Sequence, residues 1–349
     1  MKKLFYLCVA CVCWVYSHGQ VEKDSTLVVL GNQDAELAYN KGIENFTNKV
    51  YPEAIQNFTD AIKFKPEFTK AYFNRGNVYF ETQQYQFAAN DFQKVIELDS
   101  NEVQAYYLKG RANQLLNNED IAFSDFSKAI QKGIKDARPY YFRGQIQFKR
   151  DDYASALEDF TSAIQLDSKY AVAYNDRGST YRKLEKYDEA IADYQKAVAL
   201  EPSMDYAYNN LGSVLRKKEK YDEAIDAYTQ AIKVNAKNFI TYNNRGSAKF
   251  EKKDYKGAAD DFNKALSIKS DYQPALNNLA STKIKLKDYK GAVDDFTKII
   301  QQSPNYGYAY ANRGIAYEEL RMLKEACKDW EKAKELGVKS TESFLSDCK

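Results

Sequence analysis

A period of 34 residues runs through this chain without an insertion. Gly42, Gly76, Gly110, Gly144, Gly178, Gly212, Gly246, Ala280 and Gly314 stand 34 apart. Twelve residues after each of them comes alanine, from Ala54 and Ala88 through to Ala326. Four residues further on there is always an aromatic ring: Phe58, Phe92, Phe126, Phe160, Tyr194, Tyr228, Phe262, Phe296 and Trp330. Self-similarity at such a period marks a stack of small units, none of which can bury its apolar face alone. Stacking also answers the length of 349 residues, because single cores stop growing at about 250–300.

Within a unit the strong positions fall three and four residues apart in both halves, as on one face of a helix. A tyrosine closes the turn between the halves in seven units (Tyr51, Tyr85, Tyr153, Tyr187, Tyr221, Tyr255 and Tyr289). The prolines fall at unit ends (Pro66, Pro202, Pro304) or in first helical turns (Pro52, Pro139, Pro274), where a missing N–H costs little. Each unit therefore reads as two antiparallel helices, and the chain as all-α. The pattern resembles the tetratricopeptide repeat family in the variant with arginine before the glycine, as in Tyr72-Phe73-Asn74-Arg75-Gly76 and Tyr242-Asn243-Asn244-Arg245-Gly246. It covers nine units: 35–68, 69–102, 103–136, 137–170, 171–204, 205–238, 239–272, 273–306 and 307–340. The resemblance implies a right-handed α-solenoid, a superhelix whose first helices line a concave groove. Glu119 and Leu323 replace the turn tyrosine and Ala280 replaces the glycine, which marks the third and ninth units as slightly irregular.

Two positions vary together. The residue before the glycine is Lys41, Arg75, Lys109, Arg143, Arg177, Leu211, Arg245, Leu279 and Arg313. Sixteen residues later stand Asn57, Asp91, Asp125, Asp159, Asp193, Ala227, Asp261, Asp295 and Asp329. Six units keep a cation with aspartate, and the sixth unit loses both partners at once. We read an ion pair between the two helices of a unit, with a solvated charged face as the alternative. Leu279 with Asp295 breaks the rule.

Residues 1–19 carry Lys2 and Lys3, an apolar run from Leu4 to Tyr16, and Ser17-His18-Gly19. This reads as a signal peptide cleaved before Gln20, its apolar run being too short to span a bilayer. Lipidation at Cys11 is the alternative, and a buried N-terminal helix is a second one. The expected location is periplasmic or secreted, or an outer-membrane lipoprotein through Cys11. Without that segment 49 Lys and Arg face 49 Asp and Glu, so no net field draws the chain to nucleic acid or an anionic membrane. His18 is the one histidine, which removes Ser/His and Cys/His mechanisms and imidazole metal ligands from the mature chain. No phosphate loop, dinucleotide fingerprint, HExxH or mature CxxC occurs. Acidic pairs such as Asp260-Asp261 recur with the period and read as helix surface. No catalytic residue, metal site or cofactor is expected.

The function expected is a non-catalytic interaction scaffold of the cell envelope that binds a peptide or helix of a protein partner. The runner-up is an accessory subunit of an envelope enzyme or assembly complex, lipid-anchored if Cys11 is modified. Nucleic acid and small-molecule substrates are not expected, and membrane contact only on lipidation. Residues 20–34 are a linker or cap, and 341–349 a capping segment. Cys327 and Cys348 flank Gly337 at ten and eleven residues, which predicts a disulfide across the final turn. Three residues before the glycine, Tyr39, Phe73, Tyr107 and Tyr141 form an aromatic row, followed by Asn175, Asn209, Asn243 and Asn277. Two before it, Asn40, Asn74, Asn210, Asn244, Asn278 and Asn312 make a partial row broken by Leu108, Phe142 and Asp176. This row resembles the asparagine ladder with which members of that family hold peptide backbone. The expectation is a two-part groove, with apolar anchors near the N-terminal units and carboxamide hydrogen bonds near the C-terminal ones.

Overall fold

The computed structural model describes residues 30–348. The expected signal peptide, residues 1–19 with Cys11, and residues 20–29 lie outside the described residues. Eighteen α-helices follow one another among these: α1 (Leu30–Thr47), α2 (Tyr51–Phe64), α3 (Thr69–Glu81), α4 (Tyr85–Leu98), α5 (Val103–Leu115), α6 (Glu119–Gln131), α7 (Ala137–Lys149), α8 (Tyr153–Leu166) and α9 (Ala171–Lys183). The series continues with α10 (Tyr187–Leu200), α11 (Asp205–Lys217), α12 (Tyr221–Val234), α13 (Phe239–Glu251), α14 (Tyr255–Ile268), α15 (Gln273–Lys285), α16 (Tyr289–Gln302), α17 (Gly307–Glu319) and α18 (Leu323–Glu335). A 3₁₀ helix over Lys339–Cys348 ends the chain. The described residues include no strand, and no helix long and apolar enough to cross a membrane.

The chain divides into two compact units, the first ending at Asn117 and the second beginning at Asn118, so the third repeat contributes α5 to one and α6 to the other. Inside each unit, helices adjacent in sequence pack on one another. In the second unit the odd-numbered helices, which open each repeat, also touch their successors from α7 through to α17, whereas the even-numbered ones do not approach one another to that extent. The opening helices thus form the tighter layer of the second unit's stack.

Two local devices build each repeat. The turn between its helices carries one residue in the left-handed region, at Lys49, Gln83, Asn117, Asp151, Glu185, Glu219, Lys253, Lys287 and Arg321. None is glycine, so each turn carries a conformational cost, offset by the bonds that close the helix end. In the second repeat the Gln84 amide reaches back to the Tyr79 carbonyl at 2.7 Å. The second device is close approach. A Cβ added to Gly212 would lie 2.7 Å from the Tyr228 ring, so the helix pair seats that ring against bare backbone. Phe58, Phe92, Tyr194, Tyr228, Phe296 and Trp330 are fully buried there.

The last repeat needs a cover, because a stack exposes an apolar end. Gly337, at φ +86°, turns the chain out of α18. The 3₁₀ helix then lies on α18, with Phe344 stacked on Trp330 at 5.0 Å between centroids. Cys327 and Cys348 are joined by a disulfide with their Cα atoms 5.6 Å apart and a sequence separation of 21. A loop of that size contributes about 3 kcal/mol in the chain-entropy view. Trp330 is the one tryptophan outside residues 1–19, so its fluorescence reports on this end alone. Reduction is expected to lower the transition followed by Trp330 emission while the bulk helical melt shifts far less. Equal transitions with and without reductant would show that the bond does not hold the cap.

Candidate partner-binding face

The predicted ion pairs are present as two-bonded pairs that fix the opening helices in place. Arg75 donates Nε to Asp91 Oδ2 at 2.8 Å and Nη2 to Oδ1 at 2.7 Å. Arg143, Arg177, Arg245 and Arg313 do the same to Asp159, Asp193, Asp261 and Asp329. Side-chain exposure in the Arg177–Asp193 pair is 17% and 8%, so the pair is largely desolvated. Burial pushes the Asp91 and Asp159 carboxyls up, against the pull of their arginines. A buried pair of this kind is no more stabilising than an apolar pair of matching shape. The sixth repeat is that apolar solution, with Leu211 and Ala227 both buried.

A third bond went unread in the sequence. Nη1 of each arginine reaches a hydroxyl on the closing helix of the preceding repeat: Arg75 to Thr59 (3.0 Å), Arg143 to Ser127 (3.3 Å), Arg177 to Thr161 (3.2 Å), Arg245 to Thr229 (3.0 Å) and Arg313 to Thr297 (2.9 Å). Every arginine is preceded by a hydroxyl at this place. Where the next repeat carries Lys109, Leu211 or Leu279, the position holds Gln93, Gln195 or Asn263 instead. The signal was present at a separation of sixteen residues across the repeat boundary. The exception in the eighth repeat also resolves, because Asp295 takes its cation from Lys283 at 2.5 Å, one turn along the same helix as Leu279.

The asparagine rows interlock. Asn210 donates to Asn175 Oδ1 at 3.1 Å, Asn244 to Asn209 at 3.1 Å and Asn278 to Asn243 at 3.0 Å, each from one repeat to the one before. Asn74 does the same to the Tyr39 hydroxyl at 2.8 Å. Asn312 bonds Ser281 at 3.4 Å instead, and Asn277 Oδ1 is left buried without a partner. Asn210 and Asn244 use one N–H for this link, whereas Asn278 Nδ2 also reaches Ser247 Oγ at 3.5 Å. The carbonyl oxygens of Asn210, Asn244 and Asn278 have no partner within the described residues and lie on half-buried side chains. A serine follows the glycine, or Ala280 in its place, in four consecutive repeats (Ser179, Ser213, Ser247, Ser281), one helical turn along the same face.

The aromatic half of the expected groove is corrected by the structure. Tyr39, Tyr107 and Tyr141 are 6%, 4% and 8% exposed, too buried to stand as open anchors. Tyr39 packs on Phe58 and Phe68, and Tyr141 on Phe160 and Tyr170. Phe73 is half-buried with its edge against Phe92. In these repeats a ring fills the space that paired carboxamides fill later. Tyr141 also donates to Asp176 at 2.9 Å, and burial with that carboxylate raises its pKa strongly. The stretch from Asp176 to Asn312 carries polar residues at these positions instead. No group of three or more His, Cys, Asp or Glu among the described residues could hold a metal ion.

Models of the tetratricopeptide repeat match residues 69–102, 171–204 and 206–238, and again 137–170, 240–272 and 273–306, together more than half of the chain. Among solved structures, the C-terminal part of a TPR repeat-containing protein from Cytophaga hutchinsonii is 16% identical, covers 69% of this chain and 99% of its own, and has a TM-score of 0.58. A tetratricopeptide repeat protein from Parabacteroides merdae is 18% identical over 70% of this chain and 97% of that one, at 0.53. The APC/C hetero-tetramer Cut9-Hcn1 is 13% identical over 90% and 76%, also at 0.53. At these identities the likeness speaks to the fold alone. No curated protein matches the sequence.

Replacing one partner of a desolvated pair costs about 3–5 kcal/mol, because the other charge stays buried. Arg177→Leu is therefore expected to destabilise strongly in denaturant melts, and Arg177→Leu/Asp193→Ala to regain most of the loss, as in the sixth repeat. A double variant no more stable than the single one would contradict the pairing.

Proposed function

The chain belongs to the tetratricopeptide repeat family, and from that membership we propose that it is a non-catalytic scaffold binding an extended segment of a protein partner. Proteins of this family generally bind protein or peptide partners. The partner lies along the opening helices of the fifth to ninth repeats. The observation that carries this reading is the set of unbonded carboxamide oxygens on Asn210, Asn244 and Asn278, repeated at the interval of the stack. Such oxygens accept from peptide N–H groups whatever the side chains, and the remaining N–H of Asn210 and of Asn244 can donate to peptide carbonyls. Residues outside the rows add apolar contact: Tyr206, Ile240 and Tyr308 stand six before the glycine, 45%, 44% and 60% exposed. Positions six and three before and one after the glycine share one helical stripe.

The cell envelope is the proposed location. The basic and apolar residues 1–19 support export, and the Cys327–Cys348 bond suits an oxidising compartment. An intact mass beginning at Gln20, recovered from the soluble envelope fraction, is the expected result. A chain retaining Met1 in the cytoplasm would contradict it, and a lipid-modified mass from the membrane fraction would move the anchor to Cys11.

A photo-crosslinking phenylalanine analogue in place of Tyr206 tests the binding face. Adducts with an envelope protein are expected from this position and not from Leu166, which is 44% exposed on a closing helix. Adducts from Leu166 alone would place the partner on the other layer and overturn the reading.

A further inference from the structure

Two arginines stand where four other repeats carry phenylalanine. Four residues after the glycine, Phe46, Phe80, Phe148 and Phe250 each pack on the turn tyrosine of their own repeat, with centroids 6.3, 5.4, 5.5 and 5.3 Å apart. The fifth and sixth repeats have Arg182 and Arg216 there. In these two repeats alone the buried ring of the closing helix is tyrosine. The Tyr194 hydroxyl lies 3.0 Å from Ser179 Oγ, and Tyr228 donates to Ser213 at 3.2 Å. An apolar contact has thus been exchanged twice in succession for a cation and a pair of hydroxyls.

The surroundings of the two arginines differ. Arg216 gives Nη1 to Glu251 at 2.7 Å, on the next opening helix. One repeat earlier, the position of Glu251 is held by Lys217, so that Arg182 has a like charge where Arg216 has a carboxylate. Arg182, Lys217, Arg216 and Ser213 line one cavity of about 450 Å³ in the second unit. Neither Arg182 nor Lys217 has an ion-pair partner within the described residues, and Arg216 Nε is buried without an acceptor. Glu219, on the exposed turn, is the other acid at the rim. Cations in a last helical turn complement the helix dipole. That accounts neither for the tyrosine–serine pairs nor for the orphaned Nε.

We infer that this cavity receives an acidic side chain, aspartate or glutamate, of the peptide held along the opening helices. The inference rests on the proposed function and adds a charge requirement to it. A guanidinium offers a planar fork matched to a carboxylate, and two cations without partners make an uncompensated site that an anion completes.

The probes are fluorescein-labelled ten-residue peptides of alternating Ser-Glu, Ser-Gln and Ser-phosphoserine, titrated by anisotropy with the full mature protein at low salt. Ser-Glu is expected to bind at least tenfold more tightly than Ser-Gln, with the preference shrinking as salt is raised. Arg182→Gln/Arg216→Gln should bring Ser-Glu to the Ser-Gln level, while Arg182→Lys/Arg216→Lys retains most of the preference. Lys290→Gln/Lys298→Gln removes equal charge from a closing helix and should change nothing. Glu251→Gln acts in the other direction, freeing Arg216 and tightening Ser-Glu, so the test survives an unstable arginine variant. Equal binding of Ser-Glu and Ser-Gln would sink the charge requirement and leave the peptide-binding face standing. Binding of neither would overturn both, and binding of the phosphopeptide alone would make the cavity a phosphoryl site instead.

Discussion

The arginine that joins three helices is the contact on which the rest of this architecture depends. A repeat protein has no global core, so each junction must be specified by its own neighbours. Aromatic rings seated against glycine give the helix pairs their burial, but they are alike from repeat to repeat and would tolerate slippage. A guanidinium held by an aspartate of its own repeat and a hydroxyl of the one before accepts a single arrangement. Arg177, with Asp193 on one side and Thr161 on the other, shows the geometry that Arg75, Arg143, Arg245 and Arg313 share. Its energetic return is small because burial opposes it, which explains why Leu211 and Ala227 can stand in its place.

The same junctions leave the two layers with different chemistry. Charged groups of the pairs are turned inward between the helices and satisfied there. On the opening helices, Asn210, Asn244 and Asn278 link neighbouring repeats and each keep an unbonded oxygen. A row of half-used carboxamides is stable in water and still open to a peptide backbone. Beside that row the fifth and sixth repeats carry cations at a position that is phenylalanine in four others, so the surface is not uniform along the stack.

Much of this was legible in the sequence. The 34-residue period, the glycine–aromatic pairing and the turn tyrosine located each helix pair, because close packing leaves little choice of side chain there. Covariation of Arg with Asp sixteen residues apart located the ion pair. The hydroxyl partners were not legible within a single repeat, because Thr59 and Arg75 belong to different ones. Left-handed turn residues such as Gln83 and Glu219 gave no glycine to notice. The aromatic row misled for a plain reason: a tyrosine such as Tyr141 has the same helical position whether its ring lies on an open face or fills the gap to the next helix. Spacing gives the direction of a side chain, whereas the neighbour it meets is set by the stack.

The central claim is that the opening helices carry the binding surface through their carboxamides. Side-chain amide resonances of protein labelled with ¹⁵N-asparagine report on it directly, since each Asn210, Asn244 and Asn278 NH₂ pair is observed separately. On titration with the Ser-Glu peptide these three pairs are predicted to shift together, with Asn57, on a closing helix, unmoved. Shifts confined to Asn57 and other closing-helix carboxamides, with Asn210, Asn244 and Asn278 silent, would contradict the account.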